Sequence, residues 1–364
     1  MNLTPAEQER YARHLSLAGF GPEAQARLKV SRVLVVGAGG LGCPALLYLA
    51  AAGVGRITIV DADRVDVSNL QRQVLYTAAD AGQPKAEVAA RRLRALNDLI
   101  EIVPRVERLD RANALALIGD CDVVVDGSDN FATRYLVNDA CVLAGKPFVY
   151  GAIQGFAGQL SVFNWRGGPT YRCLFPEAPE PGSVPTCGEA GVLGVLPGLI
   201  GTAQATEAVK VLTGIGEPLS GRLLLWDALT MQLQTVTFAV DPRAREIREL
   251  PPESGAACGL PAAANEEISA EELRALLAGP KPPRVLDVRE PAEWAAGMIA
   301  GAVTVPLGQL EREGVAALPA DFAPDAPLVV VCAGGVRSLR AVRFLRGRHG
   351  FRAARSLRGG MRRW

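Results

Sequence analysis

A chain of 364 residues predicts two or three domains at about 150 residues each. With 49% hydrophobic and 21% charged residues it has the balance of an ordinary globular chain, which excludes disorder and collagen-like repeats. The net charge of +1 conceals an asymmetry, because residues 337–364 hold ten arginines and no acid, so the remainder is acidic. Clustered arginine attracts phosphate, yet no aromatic interleaving accompanies it, and the expectation is a solvated helix face without nucleic-acid binding.

The longest uncharged run, Val33 to Gly55, carries Pro44 and six glycines, too many helix breakers for a membrane span. The amino terminus lacks the basic-then-apolar order of a secretory signal, so a cytoplasmic setting is expected. Seven scattered cysteines without a C-x-x-C suggest neither a disulfide framework nor a zinc ribbon. With only His14 and His349 available, chemistry must rest on Cys, Asp, Arg and Lys.

In chain order, helices over 4–18 and 22–29 precede an apolar strand, Val33 to Val36, that stops at a glycine turn. A helix from Leu41 to Ala52 and a strand from Ile57 to Val60 complete a β-α-β unit. Helix 84–97, strand 100–104, helix 111–118, strand 122–126, helix 131–144 and strand 147–150 follow. Such alternation predicts an α/β, Rossmann-like, mostly parallel sheet covered on both faces. Period-two stretches (Gln159–Trp165, Arg222–Trp226, Leu233–Phe238) around one apolar helix, 190–213, predict antiparallel additions to that sheet. Residues 242–266 are rich in proline and small residues and read as a linker between domains 1–241 and 267–364. Ser269 with Glu272 forms a capping box that opens the smaller α/β domain. Its strands fall at 284–288, 303–305 and 328–331, with a helix over 291–296 and another from Val336.

Gly37-Ala38-Gly39-Gly40-Leu41-Gly42 is a G-x-G-x-x-G turn between strand and helix, where bare backbone lets amides and the helix dipole meet phosphate. Asp61, 19 residues after Gly42 at the end of the next strand, stands where a carboxylate accepts ribose hydroxyls. This much also fits an NAD-dependent dehydrogenase. Arg72 in SNLQRQ and Lys85 in GQPK add two cations, which suit a triphosphate and which hydride transfer does not need. Taken singly, Lys85 is a helix-starting surface lysine, Arg72 an ion-pair partner of Asp63 or Asp66, and Asp129 a helix cap.

GAGGLG, the 61–73 stretch, GQPK and DGSDNFATRYLVND at 126–139 resemble the ubiquitin-activating-enzyme superfamily. Within it, the chain is similar to the bacterial molybdopterin-synthase and thiamine-biosynthesis adenylyltransferases over about residues 5–240. The resemblance implies ATP and Mg²⁺. It places Gly37, Gly39, Gly40, Gly42 and Asp61 at the nucleotide, Ser68, Asn69, Arg72 and Lys85 at the phosphates, and Asp129 with Asn130 at Mg²⁺. It also implies a homodimer, with Arg13 reaching the neighbouring subunit's ATP. The matching loop cysteine, Cys187, is implied to bond covalently to a carrier's acyl group; as a helix-start cysteine it is equally read as inert packing. Zinc is expected to be absent. Where relatives hold two C-x-x-C pairs, this chain has Thr170 with Cys173, then Ala244 with Ile247, too few ligands for a closed tetrahedral site.

Cys332 follows an apolar strand and opens Cys332-Ala333-Gly334-Gly335-Val336-Arg337, whose inward amides, helix dipole and Arg337 make an anion cradle around a sulfur. With LDVREPAEW (286–294) and LRGGMRRW (357–364) it resembles the rhodanese sulfurtransferases over about residues 266–364. A phosphatase would need a loop one residue longer. Together the two resemblances imply an enzyme that adenylates the Gly-Gly terminus of a small ubiquitin-like sulfur-carrier protein. Sulfur then comes from a Cys332 persulfide, charged by a cysteine desulfurase or thiosulfate. The alternative is a conjugation module working through a Cys187 thioester, with the second domain for docking.

Overall fold

Strands with apolar residues on both faces build the first sheet of the computed structural model, which describes residues 2–179, 191–250, 266–295, 297–319 and 321–364. Five strands run parallel: β1 (Arg32–Val36), β2 (Arg56–Val60), β3 (Glu101–Arg105), β4 (Val123–Asp126) and β5 (Phe148–Gln154). The antiparallel strands β6 (Ala157–Phe163), β7 (Arg222–Asp227) and β8 (Gln232–Thr237) extend the sheet, in the order β3-β2-β1-β4-β5-β6-β7-β8. Alternation sorts the strands' side chains. Val33, Val35, Ile57, Ile59, Val123 and Val125 join one core with the Gly42–Ala52 and Lys85–Leu96 helices. Leu34, Val36, Val60 and Val124 join another with the Phe131–Ala144 helix.

Register brings three strand ends level, since Val36 pairs with both Val60 and Asp126. The glycine turn, Asp61 and the Gly127–Asn130 segment therefore emerge side by side at the carboxyl edge. There the strand order reverses, the place where open α/β sheets bind ligands.

The amino-terminal helix expected over 4–18 is two short helices, Pro5–Arg10 and Ala12–Leu15, because Tyr11 breaks the turn between them and is itself buried. Contacts divide the chain into Met1–Ser254 and Gly255–Trp364. Residues 242–250, which composition assigns to the linker, instead fold onto the first unit. Pro242–Arg245 forms a 3-10 turn, Arg245 donates to the Gly168 carbonyl, and Leu250 is buried beside Tyr135 and Tyr171. A single anchoring leucine is invisible to an average over a proline-rich stretch.

The second unit has an all-parallel sheet, ordered β11-β10-β12-β13-β9. Its strands are β9 (Glu267–Ile268), β10 (Arg284–Asp287), β11 (Val303–Thr304), β12 (Leu328–Val331) and β13 (Ala354–Leu357). The tail arginines do not form a bare basic face: Arg337, Arg340, Arg343 and Arg358 pair with Glu293, Glu311, Glu266 and Glu267. Among the described residues no helix is long and apolar enough to cross a membrane.

Asp80 fastens the approach to the Lys85–Leu96 helix. Burial alone would push its carboxyl up, but the Thr77 N–H and hydroxyl and the Arg92 guanidinium (2.6 Å) hold it down, from 3.8 to about 2. A depressed carboxylate stabilises the fold above its unfolded value and loses that contribution as pH falls through its folded value. Asp80→Asn is therefore expected to lower the melting temperature by a few degrees at pH 6. The gap to wild type should close between about pH 4 and pH 2; a gap independent of pH would contradict the assignment.

Candidate active sites

At the first sheet's edge, sterics select the glycines: a Cβ at Gly42 would lie 1.9 Å from the Gly37 carbonyl oxygen, so only glycine lets the turn close into the helix. Asp61 ties this turn to β2, its Oδ2 accepting the Ala38 N–H at 2.7 Å and its Oδ1 the Asp63 N–H at 2.7 Å. Burial pushes its carboxyl above the ordinary value against the pull of those bonds and of Lys85. A side chain at Gly40 would touch Pro197 and the stem of Arg72, and one at Gly39 would approach Gln73. The SNLQRQ segment thus borders the glycine turn.

Lys85 is not a surface lysine. It is buried at the first position of its helix, with Nζ 3.0 Å from the exposed Asp63 carboxylate. Arg72 donates to the Ser68 carbonyl (3.3 Å) and forms no ion pair among the described residues, so the alternative pairing with Asp63 or Asp66 is not made. Ser68 is held by Asp66, which accepts both its N–H (2.8 Å) and its hydroxyl (2.6 Å), and Asn69 stands next to it, its amide 3.5 Å from the Ser68 hydroxyl. At the end of β4, Asn130 caps the Phe131–Ala144 helix by accepting the Thr133 N–H at 2.9 Å. The cap, the alternative role for Asp129 taken singly, therefore belongs to Asn130. Asp129 is exposed, with no bonded partner among the described residues. Arg13 is exposed on the Ala12–Leu15 helix, and Cys187 lies outside the described residues.

Two buried polar atoms at this edge, Gln73 Oε1 and Ser128 Oγ, lack a hydrogen-bond partner among the described residues. Composition and spacing give no sign of either. A polar ligand would satisfy them. The free Asp129 carboxylate suits Mg²⁺, which takes one or two carboxylates, substrate phosphates and water.

Cys43, Cys121 and Cys141 are buried, and burial pushes the first two thiols up to about 12 and the third higher than its ordinary value, as expected of inert core cysteines. Cys173 accepts the N–H groups of Thr170 and Asp241, each at 3.3 Å, and the Thr170 hydroxyl reaches the Ala244 carbonyl. Hydrogen bonds thus join the 170–173 and 241–244 segments.

In the second unit, Asp287 at the end of β10 pairs with Val331 at the end of β12, which puts LDVREPAEW beside the Cys332 loop. Gly335 turns the loop with a φ of +95° and donates its N–H to Cys332 Sγ at 3.1 Å. The Ser338 hydroxyl lies 3.3 Å from the sulfur and 2.8 Å from the Ser356 hydroxyl. The Cys332 and Ala333 carbonyls are taken by the N–H groups of Met361 and Arg362, which turns the loop's carbonyls outward. Ser338 and Ser356 are not identifiable as site residues from spacing alone.

A glycine-turn nucleotide edge on one unit and a cysteine cradle on the other define a chain equipped for nucleotide-dependent activation and sulfur chemistry. The chain belongs to the ThiF family, which it matches over residues 11–246, and residues 269–364 match the rhodanese-like domain. It is 46% identical to a probable adenylyltransferase/sulfurtransferase, MoeZ, of Mycobacterium tuberculosis over 374 residues, covering 100% of this chain and 94% of that protein. To a sulfur carrier protein adenylyltransferase of Thermus thermophilus it is 56% identical over 248 residues, 67% of this chain and 92% of the relative. The crystal structure of E. coli MccB with ATP superposes with a TM-score of 0.58 at 22% identity, covering 64% of this chain and 72% of that one, a likeness of fold alone.

Proposed function

We propose that this chain adenylates the carboxyl terminus of a small ubiquitin-like sulfur-carrier protein with ATP and then converts it to a thiocarboxylate through Cys332. The observation that carries the reading is the presence in one chain of two constellations: the glycine turn with Arg72, which has no carboxylate partner among the described residues, and a cysteine held by the Gly335 amide. A bare carboxylate is a poor electrophile. The carrier's carboxylate attacks the α-phosphate, pyrophosphate leaves, and the acyl adenylate retains AMP as a good leaving group. Negative charge accumulates in that step, and Arg72 and Lys85 are the cations placed to stabilise it. Mg²⁺, held by Asp129 beside Asn130, would neutralise phosphate charge.

In the second step, the outer sulfur of a Cys332 persulfide attacks the acyl carbon and AMP departs, leaving an acyl disulfide. A thiolate then attacks Cys332 Sγ, breaking the sulfur–sulfur bond, so that the carrier leaves as a thiocarboxylate and the attacking thiol is left in a disulfide with Cys332. Cys187 is our candidate for that thiol, since Gly194, seven residues further along, lies against Gln71 of the nucleotide edge. An external reductant resets the disulfide. We assign the persulfide's sulfur to a cysteine desulfurase or thiosulfate, place Arg13 at a homodimer partner's nucleotide, and assign no zinc, since Cys173 alone survives of four ligands. All five described cysteines are free thiols, which supports a cytoplasmic setting.

The test is mass spectrometry of a Gly-Gly-terminated carrier after incubation with the protein, ATP, Mg²⁺ and a sulfur donor. The expected product is heavier by the exchange of one oxygen for sulfur. Pyrophosphate release with a stable Cys187 adduct and no such product would favour the conjugation reading instead.

A further inference from the structure

The two arginines that LDVREPAEW and the Cys332 loop supply, Arg289 and Arg337, are both paired with carboxylates. Arg337, the loop's own cation, lies within electrostatic reach of the cysteine. Its guanidinium is doubly engaged by Glu293, at 2.7 Å and 2.6 Å, the fork geometry in which Arg and carboxylate bind best. Arg289 is equally committed: it forks onto the fully buried Asp287 (3.0 Å and 2.6 Å) and donates to the Glu293 and Gly297 carbonyls. Those last two bonds hold the Pro291–Trp294 turn, and with it the Glu293 carboxylate, over Arg337. Glu290 adds a further acid nearby. The backbone N–H groups of Met361 and Arg362 bond the loop's carbonyls, and the Gly335 amide faces the sulfur.

A doubly charged donor entering this mouth meets Arg337 and Arg289 already committed to carboxylates. It would have to displace Glu293 from Arg337 and sit beside the displaced carboxylate. A persulfide donor carries at most one charge at its reacting sulfur and needs no such cation. We propose that Glu293 is a specificity-determining residue of the sulfur-loading step, discriminating against small dianions such as thiosulfate and in favour of thiol persulfides. This inference rests on the reading of Cys332 as the sulfur carrier. In the favoured step the Cys332 thiolate attacks the outer sulfur of R–S–SH, the donor's sulfur–sulfur bond breaks, RS⁻ leaves with the electron pair, and Cys332 becomes the persulfide. With thiosulfate the same attack releases sulfite.

Glu293→Gln is the informative substitution. Glutamine still fills the third position of the capping box, where the present carboxylate accepts the Glu290 N–H at 2.9 Å, so the turn is retained. With the full chain, sulfite release from thiosulfate and Cys332 persulfide formation from cysteine persulfide are measured across donor concentration. The expected result is a thiosulfate KM at least tenfold lower than wild type with kcat within twofold, and cysteine persulfide kinetics within twofold. Adding Arg337→Gln to Glu293→Gln should abolish the gain, because the freed guanidinium is its source. An unchanged or higher thiosulfate KM, or equal improvement with both donors, overturns the proposal while Cys332 loading from cysteine persulfide upholds the sulfur-carrier reading. Failure of both donors to load wild-type Cys332 overturns both.

Discussion

Cys332→Ala is expected to abolish thiocarboxylate formation, by a factor on the order of 10⁴ or more, as removal of an attacking nucleophile does. ATP–pyrophosphate exchange dependent on the carrier should stay within twofold of wild type. The separation follows from placement, because Cys332 follows β12 of the second unit, while the nucleotide edge is built wholly from the first. Cys332 is 1% exposed and packs with Leu286, Val330 and Ala341. Losing its sulfur leaves only a small void, costing about 1 kcal/mol, so the variant should remain folded. Product at wild-type rate in Cys332→Ala would remove the second unit from the sulfur path and shift attention to Cys187.

The complementary result is expected of Arg72→Ala. Its stem borders Gly40, and its guanidinium donates only to the Ser68 carbonyl and has no carboxylate partner among the described residues, so its charge is free for a phosphate. Removing one preorganised donor to developing charge costs about 10²–10³ in rate, and carrier-dependent ATP–pyrophosphate exchange should fall by that factor. Arg72→Lys keeps the charge and loses the fork, so it should recover activity only partly. Loading of Cys332 by a persulfide should be unaffected. Exchange within threefold of wild type, in a variant with unchanged melting temperature, would show that Arg72 does not hold phosphate.

Local chemistry wrote much of this molecule into its sequence. Apolar runs ending at glycines or aspartates marked β1, β2 and β4, and the 19-residue step from Gly42 to Asp61 located the nucleotide edge. These signals survive because a parallel strand is a short contiguous run and a glycine turn is defined by what its neighbours exclude. Cys332 was legible for the same reason: loop, helix start and arginine lie within six consecutive residues. Other features depend on partners far along the chain. The short strand β9, two residues long, exists only because β13 lies beside it, and β13 itself, ARSL, has no apolar period to announce it. The fold alone decided that Lys85 and not Arg72 would take Asp63, and that Asn130 would cap and leave Asp129 free. It alone also set Glu293 across Arg337, 44 positions away. Which charges neutralise one another is a matter of distance in space. The order of residues supplies the charged groups, and strand register brings them within reach.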